Sequence, residues 1–336
     1  MRERKSAEID AIQVGNVVHY VLENFLKKHN KSVLNSLSDD NIKSSVDSIV
    51  RNYTDEFYGG LEDKPASFLN LVDRLKQNAF ALIKQLIIQL SHSDFKPVDF
   101  ELQIGADGEI PAYKIDIDSE HSVSVNGFID RVDVSEKSED EYYIRIVDYK
   151  TGKKVFKLQD ILHGINMQML IYLRAVGQNG EKYYNKKLIP SGILYMPAFA
   201  PIINSSEKDI PKKFSDSLKM NGLVLNDEDV INRMDNSGDY IKLSKKLIDD
   251  KYSETLADKA QFNLIFEHID NTILQMGKNL LDGRVEASPI IGIENGCKYC
   301  PYDSVCLRKY GDSYRYFDKA DAKEVFKTLE GAESVE

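Results

Sequence analysis

Two aspartates and one lysine in neighbouring β-rich segments have the types and spacing that could hold a divalent cation. Asp148 and Lys150 lie two positions apart in the run IVDYKTGKK, and Asp130 lies upstream in the run GFIDRVDV. Because successive side chains of a strand alternate between its faces, Asp148 and Lys150 project to one side, with Tyr149 on the other. The two side chains therefore lie close enough to act on the same group.

The pairing of the two segments decides whether the aspartates meet. A hairpin across the turn-like run SEKSEDE that places Val134 opposite Ile144 also places Asp130 directly opposite Asp148. Opposed side chains of an antiparallel pair have β-carbons about 4.5–5.5 Å apart, and like charges there repel. We therefore expect a positive group between the two carboxylates.

Two kinds of positive group satisfy this arrangement. Lys150 could complete a structural salt network at the surface of the sheet. Alternatively, the two carboxylates and a backbone carbonyl could hold Mg2+ or Mn2+, which prefer oxygen ligands and keep waters. The cation would lower the pKa of a bound water and neutralise charge on phosphoryl oxygens, while Lys150 positions the attacking water. The residues alone leave both interpretations open.

Three further polar residues stand at helical positions. His19 lies at the edge of the apolar stripe of a predicted helix, with Glu23 one turn further on. Gln168 and Tyr172 lie one turn apart on a common face of a later helix. Taken separately, each position is also typical of ordinary packed or solvated side chains.

The elements that would position these residues follow from the spacing of the apolar side chains. Apolar residues recur every three or four positions in three early segments, which predicts helices over 8–29, 40–58 and 66–92. Short β-rich runs follow, namely FELQI, AYKIDI, SVSV, GFIDRVDV and YYIRIVDY. A helix over 158–177 and a buried strand over 191–199 suggest a crossover onto the same sheet.

The predicted elements divide the chain into four regions of an α/β protein with a central mixed sheet flanked by helices. The regions are an N-terminal helical part over 1–95, a core of sheet and helix over 96–199, a helical insertion over 200–290, and a cysteine segment with a final helix near 319–329 over 291–336. Within the core, Asn126-Gly127 is a strong two-residue hairpin signal. It would add SVSV as a strand beside GFIDRVDV.

Composition limits the kinds of partner. The 336 residues carry a net charge of -10, which argues against indiscriminate electrostatic binding of nucleic acid. A nucleic-acid contact would have to be local, and seven lysines could line one side of a DNA channel: Lys150, Lys153, Lys154, Lys157, Lys182, Lys186 and Lys187.

The N-terminus is charged where a secretory signal is apolar, and no run approaches the length of a membrane span. We expect a cytoplasmic protein without a membrane partner.

The motifs taken in order resemble those of a known family. The series is G-x3-H-x3-E, GFIDRVD, IVDYKTG and G-x3-Q-x3-Y. It resembles the RecB-type nucleases of the PD-(D/E)XK superfamily, which have a restriction-endonuclease-like core. Together with INMQMLIYL, GILYM and the cysteine segment, it is similar to the C-terminal nuclease domain of AddB-type subunits of bacterial helicase–nucleases, over nearly the whole chain.

The resemblance implies a Mg2+- or Mn2+-dependent DNA exonuclease. Its metal ligands would be His19, Asp130, Asp148 and the carbonyl of Tyr149, and its catalytic lysine would be Lys150. Gln168 and Tyr172 would border the site and face DNA. The resemblance also implies an AddA-type helicase–nuclease partner, a role in the processing of double-strand breaks, and cleavage of the 5′-ended strand. No phosphate-cradling G-x4-GK-[ST] loop occurs here, so we expect no ATP hydrolysis by this chain.

Three cysteines, Cys297, Cys300 and Cys306, form the pattern C-x2-C-x5-C. An odd number of cysteines within ten residues suits a metal site better than a disulfide framework. The pattern resembles the 4Fe–4S site of this family, which needs four thiolates. The resemblance implies a fourth cysteine upstream of Met1, so we expect no cluster on this chain alone. Zinc is an alternative that would also need a ligand from elsewhere.

Two other functions are compatible with these motifs. The same sheet could support a non-catalytic surface that guides DNA or docks a subunit, with the charged trio as an ion network. A free-standing Cas4-like exonuclease has a similar motif order and cysteine set. The insertion over 200–290 and the overall length favour the helicase-associated subunit.

Overall fold

The N-terminal region is helical, as the apolar spacing predicts. The computed structural model describes residues 11–199, 210–244, 252–284, 286–292, 295–298, 300–306 and 313–332. The first helices are α1 Ala11–Lys28, α2 Lys31–Leu34, α3 Asp39–Tyr58 and α4 Ala66–Ser91. Ser38 caps α3 by accepting a hydrogen bond from the amide of Asn41, and Gly59 ends α3 with a left-handed φ of 70°.

A central mixed sheet follows, as predicted. The first eight strands are β1 Lys96–Ile104, β2 Tyr113–Asp116, β3 Ser122–Val125, β4 Gly127–Ser138, β5 Glu141–Lys150, β6 Lys187–Pro197, β7 Asn221–Leu225 and β8 Leu256–Ala257. Six of them form one sheet in the order β1-β4-β5-β6-β7-β8. The β1–β4, β4–β5 and β6–β7 pairs are antiparallel, whereas β5–β6 and β7–β8 are parallel.

The register of β4 against β5 is the predicted one. Val134 pairs with Ile144, and the ladder runs on to Arg131 paired with Val147. One further step places Asp130 opposite Asp148, so the two carboxylates share a face at the end of the ladder.

The predicted hairpin at Asn126-Gly127 is wrong. β3 pairs with β2 in a separate two-stranded sheet, and β4 pairs with β1 and β5. A two-residue hairpin turn needs a positive φ at one or both central residues, and neither Asn126 nor Gly127 has one. The chain turns instead before β3, where Asp118 Oδ1 accepts hydrogen bonds from the amides of Glu120 and His121.

The predicted helix over 158–177 is broken into two pieces. A 3-10 helix, Leu158–His163, is followed by α5, Gln168–Asn179, and then by the single turn α6, Glu181–Tyr184. Gly164 and Asn166 adopt left-handed φ values of 70° and 55° between the two pieces, and an α-helix cannot continue through that conformation. The parallel pairing of β5 with β6 across this segment confirms the predicted crossover.

The segment over 200–290 is more than the predicted helical insertion. It contains the helices α7 Ile210–Ser217, α8 Glu228–Met234 and α9 Lys259–Leu281, but also β7 and β8 of the central sheet. All five residues of β7 are buried. A short, continuously buried strand has no alternating pattern that would separate it from a helix in the sequence. Residues 200–209, 245–251 and 285 of this segment lie outside the described residues.

The C-terminal region packs against the core through its last helix. β9 Ile290–Gly292 and β10 Arg315–Phe317 form a short parallel pair, with α10 Asp303–Cys306 between them in the chain. The final helix, α11 Ala322–Ala332, contacts α9, and its Val325 and Phe326 are fully buried. Within the described ranges, no helix is both long enough and apolar enough to cross a membrane.

Candidate active site

α1 carries His19 onto the end of β5. Val18 and Leu22 on either side of it are buried, and α1 contacts both β1 and β4. His19 Nε2 donates a hydrogen bond of 2.9 Å to the carbonyl oxygen of Tyr149. Because a carbonyl only accepts, Nε2 carries the proton of this hydrogen bond. Nδ1 lies 3.4 Å from Asp130 Oδ2.

Asp130 is held by the backbone of the next strand. The amide of Tyr149 donates a hydrogen bond of 2.8 Å to Asp130 Oδ2. Tyr149 therefore contacts His19 through its carbonyl and Asp130 through its amide. The structure brings these three predicted site residues together at one point.

Asp148 and Lys150 lie on the same face of β5, as predicted. Lys150 Nζ is 2.5 Å from Asp148 Oδ2, and the Asp148 side chain is 14% exposed. Burial raises the pKa of Asp148 and the charge of Asp130 raises it further, while Lys150 and His19 act in the opposite direction. The ion pair with Lys150 thus offsets part of the cost of placing two carboxylates side by side.

A tyrosine on β6 lies below two lysines of the site. Tyr195 pairs with Asp148 across the β5–β6 ladder. Lys150 Nζ and Lys154 Nζ lie 5.7 Å and 5.9 Å from the centre of its ring, within the range of cation–π attraction. Lys154 Nζ also donates a hydrogen bond of 2.5 Å to Asn166 Oδ1. Two ammonium groups therefore stand at this end of the sheet.

The predicted lysine-lined channel is wrong in part. Lys187 pairs with Glu141 where β5 and β6 begin, whereas Lys150 pairs with Pro197 where they end. About nine residues of strand separate the two positions, which corresponds to roughly 30 Å. Lys187 also forms an ion pair of 3.2 Å with Glu141. Lys186 and Lys187 therefore lie at the opposite end of the sheet from the candidate site.

Glu101 on β1 belongs to the site and was missed by the sequence reasoning. Its neighbours Phe100 and Leu102 pair with Arg131 and Ile129, so Glu101 lies opposite Asp130. Glu101 has a left-handed φ of 52°, which non-glycine residues rarely adopt. Burial raises its pKa, and the charges of Asp130 and Glu23 add to this shift. The available signal was a single acidic residue within the apolar run FELQI.

Gln168 and Tyr172 border the start of β4. Gln168 Nε2 donates a hydrogen bond of 3.1 Å to Tyr172 Oη. A Cβ atom at Gly127 would lie 2.1 Å from Tyr172 Oη, so the ring lies directly on the glycine backbone. Gly127 is therefore required for close approach of this side chain rather than for a turn.

A buried charge network lies beneath the site and was also missed. Asp133 accepts hydrogen bonds of 2.7 Å and 3.0 Å from Arg131 and one of 2.9 Å from Arg145. Arg131 also donates a hydrogen bond of 3.1 Å to Tyr149 Oη. Burial alone would raise the pKa of Asp133, but the two guanidinium groups outweigh it and hold that pKa below its usual range. The network therefore fixes the ring of Tyr149, whose backbone contacts His19 and Asp130.

Comparison with known proteins assigns the family. The model of the PD-(D/E)XK nuclease superfamily matches residues 1–307. The chain belongs to this superfamily. Relatives include the B-subunit of the ATP-dependent helicase/deoxyribonuclease of Clostridium kluyveri, 33% identical over 98% of this chain. The protein of the same name from Clostridium acetobutylicum is 31% identical, also over 98% of this chain. The chain spans 30% of the length of each of these two relatives.

The donor atoms suit the divalent metal that PD-(D/E)XK nucleases typically use. Among the described residues, the ligand atoms of His19, Glu101 and Asp130 all lie within 4.8 Å of one another. Carboxylate and carbonyl oxygens are the ligands that Mg2+ and Mn2+ prefer, and imidazole is compatible with Mn2+. The residues therefore fit a divalent cation at the shared end of β1, β4 and β5.

The cysteine segment does not fit a complete iron–sulfur site of the predicted kind. Cys297 and Cys300 are partly buried and Cys306 is exposed. The sequence contains only these three cysteines, one short of four thiolates. Within the described part of the chain, their sulfur atoms are not gathered into a group of three within 4.8 Å. The iron–sulfur cluster, expected only where a fourth cysteine upstream of Met1 is present, stays a prediction.

Proposed function

We propose that this chain is the metal-dependent nuclease part of a helicase–nuclease and hydrolyses phosphodiester bonds of DNA. The observation that carries the proposal is the arrangement of Asp130, Asp148 and Lys150 beside the carbonyl of Tyr149 and the imidazole of His19. When bound, a Mg2+ or Mn2+ ion would lower the pKa of a water and offset the charge that develops on the phosphoryl oxygens.

The side chains of this site have separate roles in the proposal. Asp130 and Asp148 would hold the cation from neighbouring strands, together with the Tyr149 carbonyl and the Nδ1 lone pair of His19. The Lys150 ammonium, held beside Asp148 at 2.5 Å, would orient the attacking water and contact a non-bridging phosphate oxygen. Gln168 and Tyr172 would lie against the DNA strand where it enters over Gly127.

The names of the relatives support the proposed partner and process. They are subunits of an ATP-dependent helicase/deoxyribonuclease, so we propose that the chain acts on DNA together with an AddA-type subunit that supplies the motor. The process would be end processing at double-strand breaks in the cytoplasm, with cleavage of the 5′-ended strand. The same names favour this proposal over a free-standing Cas4-like exonuclease.

Replacement of Asp148 tests the proposal. We expect Asp148→Asn to lower the rate of DNA cleavage at least about 100-fold, because loss of this carboxylate weakens binding of the cation that offsets the transition-state charge. The measurement is release of 5′-labelled nucleotides in Mn2+ or Mg2+ by the protein assembled with its partner subunit. Glu136→Gln, the same change of charge at an exposed position of β4, is the matched control.

Unchanged cleavage by Asp148→Asn would reject the enzyme and leave the non-catalytic alternative. In that alternative, the ion pair between Asp148 and Lys150 only stabilises the sheet. Lys150→Met would then alter stability but not cleavage.

A further inference from the structure

Three carboxylates lie in one row across three neighbouring strands. Glu101 on β1 lies opposite Asp130 on β4, and Asp130 lies opposite Asp148 on β5. Like charges directly opposite in an antiparallel pair repel. A row of three such groups therefore needs compensating positive charge along its length.

The nearby lysines compensate only part of the row. Lys150 pairs with Asp148, and Lys27 pairs with Glu23 on α1 at 2.6 Å. In the part of the chain that the structure describes, no lysine or arginine forms an ion pair with Glu101 or Asp130. The group close to both is the imidazole of His19, whose Nδ1 is 3.4 Å from Asp130 Oδ2. The β1 end of the row thus receives only the less direct charge of Lys27 and the imidazole of His19.

The spacing at this end suits a cation. The ligand atoms of His19, Glu101 and Asp130 all lie within 4.8 Å of one another. Octahedral ligands at 2.0–2.1 Å from Mg2+ are separated by about 3 Å when adjacent and about 4.2 Å when opposite. A small contraction around the ion would therefore satisfy all three ligands at once.

We propose that Glu101 is a further protein ligand of the divalent cation, beside His19 and Asp130. This inference rests on the proposed function and assigns the edge strand β1 a part in the site. A third carboxylate raises the ligand charge, and affinity for hard cations rises with the ligand charge count. Glu101 has a left-handed φ of 52°, and its carboxylate lies within 4.8 Å of the ligand atom of His19 on α1.

Mn2+ binding to the full chain tests the role of Glu101 without any use of nuclease activity. Isothermal titration with MnCl2 compares wild type, Glu101→Gln and the control Glu136→Gln, which lies six residues beyond Asp130 on β4, about 20 Å away. Melting temperatures without metal are measured for the same three proteins. We expect Glu101→Gln to weaken the Kd at least about tenfold, with an unchanged or higher metal-free melting temperature because repulsion in the row is reduced. Glu136→Gln should bind Mn2+ like wild type.

The outcomes separate this inference from the proposed function. Equal Kd values for all three proteins would overturn the role of Glu101 and leave the proposed nuclease intact. Weaker binding by Glu101→Gln together with a lower metal-free melting temperature would also overturn it, because the residue would then have a structural role. A wild-type chain that binds no Mn2+ would overturn both proposals.

Discussion

Tyr149 connects the parts of the candidate site through three of its own atoms. Its carbonyl accepts from His19, its amide donates to Asp130, and its hydroxyl accepts from the buried Arg131. Strand alternation explains how one residue does all three: its ring points away from the face of Asp148 and Lys150 and is buried beneath the sheet. The fixed ring of Tyr149 on one face of the sheet therefore positions the Tyr149 backbone for its contacts with His19 and Asp130 on the other face.

Gly127 is the residue whose substitution should most directly displace Tyr172. A Cβ atom at this position would lie 2.1 Å from Tyr172 Oη, so we expect Gly127→Ala to lower the free energy of unfolding by about 1–3 kcal/mol. Urea denaturation measures the change. Gly152→Ala is the matched control, because a Cβ atom there meets nothing within 4 Å.

A double-mutant cycle identifies the cause. Removal of the ring in Tyr172→Ala should make the Gly127→Ala change nearly neutral in the double variant. If Gly127→Ala lowers the free energy of unfolding equally with and without the ring of Tyr172, the close approach of that ring is not the reason for glycine at this position.

At the scale of elements, β4 and β5 are tied together by buried charges as well as by their ladder. Arg131, Asp133 and Arg145 are each no more than 1% exposed. Two guanidinium groups share one carboxylate, so the network depends on Asp133 more than on either arginine. Breaking a buried ion pair leaves an uncompensated charge, which costs far more than losing a surface pair.

Asp133→Asn should therefore destabilise the protein strongly. We expect a loss of about 3–5 kcal/mol in the free energy of unfolding, measured by urea denaturation. Asp39→Asn is the control, because its partner Lys84 lies at the surface at 2.9 Å and exposed pairs contribute about 0–1 kcal/mol. A loss below about 1 kcal/mol for Asp133→Asn would mean that water reaches the two arginines.

At the scale of the whole molecule, the partly buried ammonium of Lys31 connects the N-terminal helices to the segment that leads into the sheet. Lys31 on α2 donates hydrogen bonds to the carbonyls of Ser93 and Phe95, which lie between α4 and β1. Burial, with a contribution from the charge of Arg145, lowers the pKa of Lys31 to about 8. The junction between the two regions therefore contains an amine that titrates near neutral pH.

This lowered pKa predicts how stability changes with pH. Between about pH 8 and its usual value of 10.5, Lys31 binds more protons in the unfolded chain than in the folded one, so its contribution to stability rises with pH in that window. In urea denaturation at several pH values, the free energy of unfolding of the wild type should rise with pH relative to that of Lys31→Met. Lys28→Met, at an exposed lysine of α1, is the control, and its free energy of unfolding should change with pH as that of the wild type does. The same change with pH for Lys31→Met would contradict the prediction.

The agreement between sequence and structure is best for local features. The helices α1, α3 and α4 lie within a few residues of the predicted ranges, and Val134 pairs with Ile144 as expected. The errors lie where long-range contacts overrule local signals. Asn126-Gly127 has the composition of a hairpin turn, but Tyr172 on a distant helix occupies the space over Gly127. β7 was missed because a fully buried strand shows no alternation.

The register that opposes Asp130 to Asp148 was an assumption about the hairpin, and the β4–β5 ladder confirms it. The sequence by itself determined the face that Asp148 and Lys150 share and the spacing of Gln168 and Tyr172. Each of these depends on strand or helix periodicity over a few residues. Only the tertiary structure decided that His19 meets Tyr149 and that Glu101 joins the row. Those contacts join residues up to 130 positions apart, and no local pattern encodes them, because they arise only when separate elements pack together.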